Sequence, residues 1–140
     1  MSEFERFLKA NKAVRENVFY PATSAVTDEE GRPVLWELRH LTTAQCEELK
    51  RDCIRQTEGK NGIIRDRLDT GMYMEKLLAA SVVEPNLSNA QLQDSYGVYT
   101  PEELLKAIID NPSEYAAFTD FVHGMLGFTP FKDKVEQAKN

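Results

Sequence analysis

Two short stretches in the last third of the chain constrain the fold more than anything else in it. Thr100-Pro101-Glu102-Glu103 and Asn111-Pro112-Ser113-Glu114 each run from a side-chain acceptor through a proline to acid. That order suits a helix N-terminus, where a cap oxygen satisfies a free amide, proline presets φ and negative charge meets the positive end of the helix dipole. Each signal leads into an apolar stripe at helical spacing, Leu104, Leu105, Ile108 and Ile109 in one case, Tyr115, Phe118, Val122 and Met125 with Phe121 in the other. The two predict a compact pair of helices.

Working back from that pair, Met72 to Ala80 is apolar nearly all round, so a helix started by Asp69 or Thr70 and stopped by Pro85 should be the central one. Ser88 to Gln91 offers a capping box for a short helix before Tyr96-Gly97. Thr42 with Gln45 caps a helix that carries Cys46, Leu49 and Cys53 inward and ends in the loop Gly59-Lys60-Asn61-Gly62. From residue 42 onward everything reads helical.

The N-terminal part differs. Ser2-Glu3-Phe4-Glu5 is a capping-box arrangement, and Phe4, Phe7 and Leu8 share a face, which predicts a short amphipathic helix. Val18 to Thr23 and Val34 to Arg39 read as strands around the acidic turn Asp28 to Pro33. Val34, Trp36 and Leu38 point one way and Glu37 and Arg39 the other, the alternation of a sheet covered on one face. Pro21 has no amide to donate, so its strand should be an edge or bulged. The expected class is α+β, an N-terminal helix and two-stranded antiparallel β-hairpin packed on a mainly α-helical body. Residues 1–128 should form a single globular domain, followed by a charged C-terminal tail at 129–140.

Composition narrows the function classes. An apolar share of 41% and a charged share of 29% belong to a folding chain. A net charge of −6 repels phosphate and disfavours general nucleic-acid binding. The longest apolar stretch, Leu77 to Val83, is far short of the ~20 residues that span a bilayer. The acidic start Met1-Ser2-Glu3-Phe4-Glu5 lacks the pattern of a signal peptide, so a cytoplasmic protein is expected. Cys46 and Cys53 fall in one predicted helix, where seven residues span ~10.5 Å and exclude a disulfide between them. His40 and His123 complete no zinc pattern, and no cofactor or metal is expected.

Catalysis needs converging groups, and none converge in the sequence. Acidic pairs such as Glu47-Glu48 and Glu102-Glu103 read as solvated faces and caps. Gly59-Lys60-Asn61-Gly62, with Arg51, Arg55, Arg65 and Arg67 around it, matches the Gly-x-x-Gly loop by which KH domains clamp nucleic acid, so a small nucleic-acid-binding or regulatory domain using the Gly59–Arg67 loop is the alternative function. Glycines after a charged helix also serve as an ordinary cap and turn. More informative are Tyr96, Tyr99, Phe128 and Phe131, aromatics in connecting or terminal segments where a core demands them less. These four are the candidate partner-binding residues, since aromatics are common interface anchors.

The order of several segments resembles a known family. Phe7-Leu8-Lys9-Ala10-Asn11-Lys12, Val14 to Val18, the strand Val34 to Arg39, and Leu41-Thr42-Thr43 before Arg51-Asp52-Cys53 look like the first half of XkdN-like phage tail assembly chaperones. Pro85-Asn86-Leu87, Leu92 to Val98, Glu102 to Leu105 and Gly124 to Phe128 continue the likeness, which covers about residues 4 to 128. The resemblance implies a non-catalytic assembly factor of the bacterial host cytoplasm, absent from the mature virion. Its implied client is the tape measure protein, with the tail tube protein as a second candidate partner and self-association left open.

Overall fold

The computed structural model describes residues 2–128. In chain order these form α1 (Glu3–Arg6), β1 (Val18–Tyr20), β2 (Trp36–Leu38), α2 (Thr43–Arg51), β3 (Ile54–Glu58), β4 (Ile64–Leu68), α3 (Thr70–Ser81), β5 (Val82–Glu84), α4 (Ala90–Tyr96), α5 (Pro101–Ile108) and α6 (Pro112–Met125). Short 3-10 turns lie at Lys9–Asn11 and Lys60–Gly62. The α+β class is as expected.

Cap chemistry fixes the helix starts. Thr100 Oγ1 accepts the Glu103 amide at 3.2 Å, and Asn111 Oδ1 accepts those of Ser113 and Glu114 at 2.9 and 3.2 Å, with proline first in each helix. Thr42 and Gln45 close a reciprocal capping box on α2, as Ser2 and Glu5 do on α1. The cap of α4 is Asn89, one residue past the sequence expectation, and Gly97 ends that helix at φ 69°, a left-handed conformation that costs glycine little.

The central position of α3 is also as expected. Its Leu77, Leu78 and Ala79 are buried, and the helix meets α2, α5 and α6. Lys76 pairs with Glu102 at 3.6 Å and Lys106 with Glu75, tying its outer side to α5. Such surface pairs add little energy individually, so the apolar contacts hold the two helices together.

β1 and β2 pair antiparallel as the predicted hairpin, Val18 opposite Leu38 and Tyr20 opposite Trp36. β1 is an edge strand, consistent with Pro21 following it. The other edge holds a strand that sequence reading missed. α3 ends at Ser81, before Pro85, and Val82–Glu84 turns directly into β5 against β2. Val82 and Val83 are β-branched and favour this, and the Arg39 amide finds the Ser81 carbonyl at 2.8 Å.

A larger correction concerns residues 54–68, expected to be the end of a helix and a loop. They form a separate two-stranded sheet, β3 with β4. α2 stops at Arg51, so Cys53 lies beyond it, fully buried at the helix–strand junction; both cysteines are free.

One core joins these parts. Trp36 and Leu38 from the sheet, Leu78 and Ala79 from α3, Leu104, Leu105 and Ile108 from α5, and Phe118 and Val122 from α6 form a single buried cluster. Trp36 meets Phe118 edge-on with ring centres 6.0 Å apart, and Tyr20 stacks on Phe121 at 4.2 Å. A latch beside the core holds α6 to the segment after β1. Buried Thr23 donates its hydroxyl to Glu114 Oε1 and the Ser24 amide donates to Oε2, both at 2.8 Å. These bonds hold the Glu114 carboxyl below its ordinary range, the Ser24 amide contributing most.

Two predictions follow from this packing. Trp36, only 2% exposed, should cost about 3–5 kcal/mol on truncation to alanine, seen as a large fall in the urea midpoint. A midpoint like that of the wild type would misplace the sheet. Because the folded pKa of Glu114 is depressed, its contribution exists above the unfolded value and disappears as pH falls through the folded one. Glu114→Gln should therefore melt below the wild type at pH 7 and converge with it in acid. A gap that stays constant with pH would show that the charge is irrelevant.

Candidate functional site

The surface holds several large apolar side chains that the core does not use. Three concentrations stand out: an N-terminal arm, a groove beside the sheet, and the ribbon made by β3 and β4.

The groove has a volume of about 160 Å³ and a mostly apolar lining. Val26 and Val34, joined by a 3.0 Å hydrogen bond from the Val34 amide to the Val26 carbonyl, form one wall with Leu35. Leu92 and Tyr96 of α4 form the other, and Trp36, Pro85 and Ile108 close it towards the core. Val34 and Leu35 stand just before β2, where the chain has not yet joined the sheet, and this leaves them partly in water. Glu84 is the charged residue of the lining. A dry cavity of ~150 Å³ accepts a benzene ring, so this groove suits one aromatic or large aliphatic side chain at a time.

The ribbon is exposed along nearly all its length. Strand alternation puts Arg55 opposite Arg67 and Thr57 opposite Arg65 on one face, while Ile54, Gln56 and Glu58 meet Leu68, Asp66 and Ile64 on the other. Like charges placed directly opposite destabilise a strand pair. Part of that charge is met by Asp69, whose Oδ2 lies 3.4 Å from Arg55 Nε while its Oδ1 caps α3. At the tip, Asn61 and Gly62 take φ of 72° and 73°. The Gly-x-x-Gly stretch is thus a hairpin turn rather than a helix terminus. The Asn61-Gly62 pair, followed directly by Ile63-Ile64, was the signal that could have revealed the ribbon.

Of the four aromatics singled out in the sequence, Tyr96 lines the groove. Phe128 lies edge-on to His123 at 6.0 Å and borders a different hollow with Arg15, Leu41, Cys46 and Tyr73. Tyr99 is 85% exposed and joins neither hollow, and Phe131 lies outside the described residues. The fold does not bring the three described residues, Tyr96, Tyr99 and Phe128, into one site. Val26, Val34 and Leu35, which complete the groove, were missed because Val34 and Leu35 read as strand and Val26 fell between the first strand and the turn.

Among the described residues no group of three or more His, Cys, Asp or Glu is placed to hold a metal ion, and no helix is long and apolar enough to cross a membrane. Burial pushes the thiols of Cys46 and Cys53 up and the imidazole of His123 down, so at neutral pH each favours its uncharged form. The His123 ring nitrogen Nε2 is buried with no hydrogen-bond partner among the described residues. At pH 7.5 both cysteines should alkylate at least about tenfold more slowly than an unprotected thiol, and Cys53 only on unfolding, as followed by mass spectrometry. Fast labelling of Cys53 in the folded protein would show that the junction of α2 and β3 opens.

Comparison with known proteins adds to this geometry. A family model described as phage XkdN-like tail assembly chaperone protein matches residues 4–139. The phage-like element PBSX protein XkdN of Bacillus subtilis strain 168 is 23% identical over 137 residues, covering 96% of this chain and 91% of the relative. The uncharacterized protein YqbN of the same strain is 27% identical over 138 residues, with the same coverage of 96% and 91%. The crystal structure of YqbN superposes with a TM-score of 0.75 at 20% identity, covering 92% of this chain and 99% of that one, which establishes a shared fold.

Proposed function

The chain belongs to the phage XkdN-like tail assembly chaperone family, and from that premise we propose that it binds the tape measure protein and keeps it soluble while the tail is built. A tape measure is a long helical protein whose apolar stripes lie in water until tube subunits enclose it. Exposed stripes of that kind aggregate. A chaperone for them needs an apolar receptor that binds well enough to cover a stripe and weakly enough to release it, and it needs no titratable catalyst.

The observation that carries this reading is the groove between Leu35 and Tyr96, apolar, open and sized for one anchor side chain of an amphipathic helix. Binding through single anchors gives moderate affinity per site and release as tube subunits compete. The proposal extends to a protein that acts in the host cytoplasm and leaves before the particle is finished, with the tail tube protein as a second partner. A different reading, a polyanion laid along the arginine face of the ribbon, has the opposed Arg55 and Arg67 in its favour and the net charge of −6 against it.

Co-expression with the tape measure protein tests the proposal. Leu35→Asp with Tyr96→Ser places a charge in the groove and removes an anchor, together worth about 2 kcal/mol or more of binding. The expected result is a folded variant with nearly unchanged melting and a client in the insoluble fraction. A soluble client would take the groove out of the mechanism, and a client equally soluble without this protein would remove the tape measure as its partner.

A further inference from the structure

We propose that the free edge of β4 takes up, as a third strand, an extended segment of another protein in which two acidic residues flank a polar one and apolar residues flank the acids.

Two bonds fix how the ribbon presents its backbone. The Gly59 amide reaches the Ile63 carbonyl at 2.7 Å beside the turn, and the Asp69 amide reaches the Cys53 carbonyl at 2.8 Å at the root. Directly opposed residues of an antiparallel pair alternate between bonded and non-bonded, so between these two ends Arg55 bonds with Arg67 and Thr57 with Arg65. Ile64, Asp66 and Leu68 then turn their N–H and C=O groups away from β3. Among the described residues no third strand takes them. Unpaired edge groups of this kind are a template for strand addition.

Side chains along that edge specify what is added. β4 reads Ile64-Arg65-Asp66-Arg67-Leu68, with both arginines on one face and Ile64 and Leu68 at the two ends of the other. Ile64 is 65% exposed. Arg67 faces Arg55 across the ribbon, and among the described residues neither Arg65 nor Arg67 pairs with a carboxylate. A strand with acids opposite these two arginines adds favourable cross-strand pairs where the ribbon now has like charges. Apolar residues at its ends cover Ile64 and Leu68, and an uncharged polar residue suits the place opposite Asp66. The order apolar, acid, polar, acid, apolar is the same in both directions, so it serves a parallel or an antiparallel strand.

The same charges disfavour this chain as its own partner. A second β4 running antiparallel in the register that keeps the apolar ends together sets Arg65 against Arg67 and Asp66 against Asp66, and a parallel one sets each charge against itself. Nor does the acid-x-acid pattern between apolar residues occur anywhere in the 140 residues. Nucleic acid fits less well than polypeptide, because a phosphate backbone does not continue a β-ladder and the chain carries a net charge of −6. The groove is lined by other elements, so this partner does not depend on the groove's client being the tape measure protein.

Fluorescence anisotropy with the purified full chain tests the strand addition, using the labelled peptide Gly-Ser-Val-Glu-Thr-Glu-Val-Ser-Gly at low salt. The peptide should bind saturably, and amide exchange followed by NMR should slow at Ile64, Asp66 and Leu68. Changing both peptide glutamates to glutamine should weaken binding at least about tenfold. Arg65→Glu with Arg67→Glu in the protein should do the same with nearly unchanged melting, since both positions are exposed. A peptide of equal composition with its glutamates adjacent should also bind at least about tenfold more weakly, because one acid then leaves the arginine face. The proposal would be overturned by a peptide that does not saturate, by control peptides or a double-glutamate protein that bind equally well, or by binding that leaves those three amides unprotected. Tighter binding of oligothymidylate than of the peptide would overturn it too and give the arginine face to nucleic acid.

Discussion

Phe118 is where the sheet and the helices become one body. It is fully buried on α6, with the Trp36 ring edge-on from the middle strand and Tyr20 tilted against it from the outer one. Strands of three residues cannot stand alone, because so few ladder bonds do not offset the entropy of ordering them. Their stability comes from covering one face, and the face presented by Trp36 and Leu38 is covered by α3, α5 and α6. The helices depend on the same contact, since segments of eight to fourteen residues are marginal without tertiary packing.

Around this core the chain keeps apolar surface in water at places that serve no packing need. The arm carries Phe4 and Phe7, the groove Leu35 and Tyr96, and the ribbon Ile54, Ile63 and Ile64. For a protein whose work is to meet other chains, that distribution has a physical sense. Anchors on an ordered arm or a rigid rim bind at low entropic cost. Apolar patches divided among small elements, with Lys9, Lys12, Arg55 and Arg67 between them, are also less prone to indiscriminate aggregation than one continuous face.

Titratable groups point the same way. The cysteines are held towards the neutral thiol and His123 towards the neutral ring, and desolvation is the leading cause in each case. Glu114 moves in the direction that favours charge, and its carboxylate spends that charge on a structural latch. The clearest shifts of acid and thiol groups thus record how the body is packed.

How much of this could be read in the sequence depended on how local the determining interaction is. Caps act over three or four residues, so Thr42, Thr100 and Asn111 announced their helices, and the stripes behind them announced which faces are buried. Trp36 and Leu38 declared the covered face of a strand through simple alternation. The ribbon was missed because its strands are exposed on both faces, with Ile54, Ile64 and Leu68 set among charged and polar residues, and without a buried face there is no regular alternation to read; only Asn61-Gly62 marked it. β5 was missed because three residues become a strand only where β2 offers a free edge. The groove is a purely tertiary object. Val26, Val34, Pro85 and Tyr96 come from four separate stretches, and no pattern within any one of them says that they will meet. Local chemistry in the sequence determined where the elements begin and what they bury. Only the packing of those elements, through contacts between distant residues, decided which apolar side chains were left facing water together.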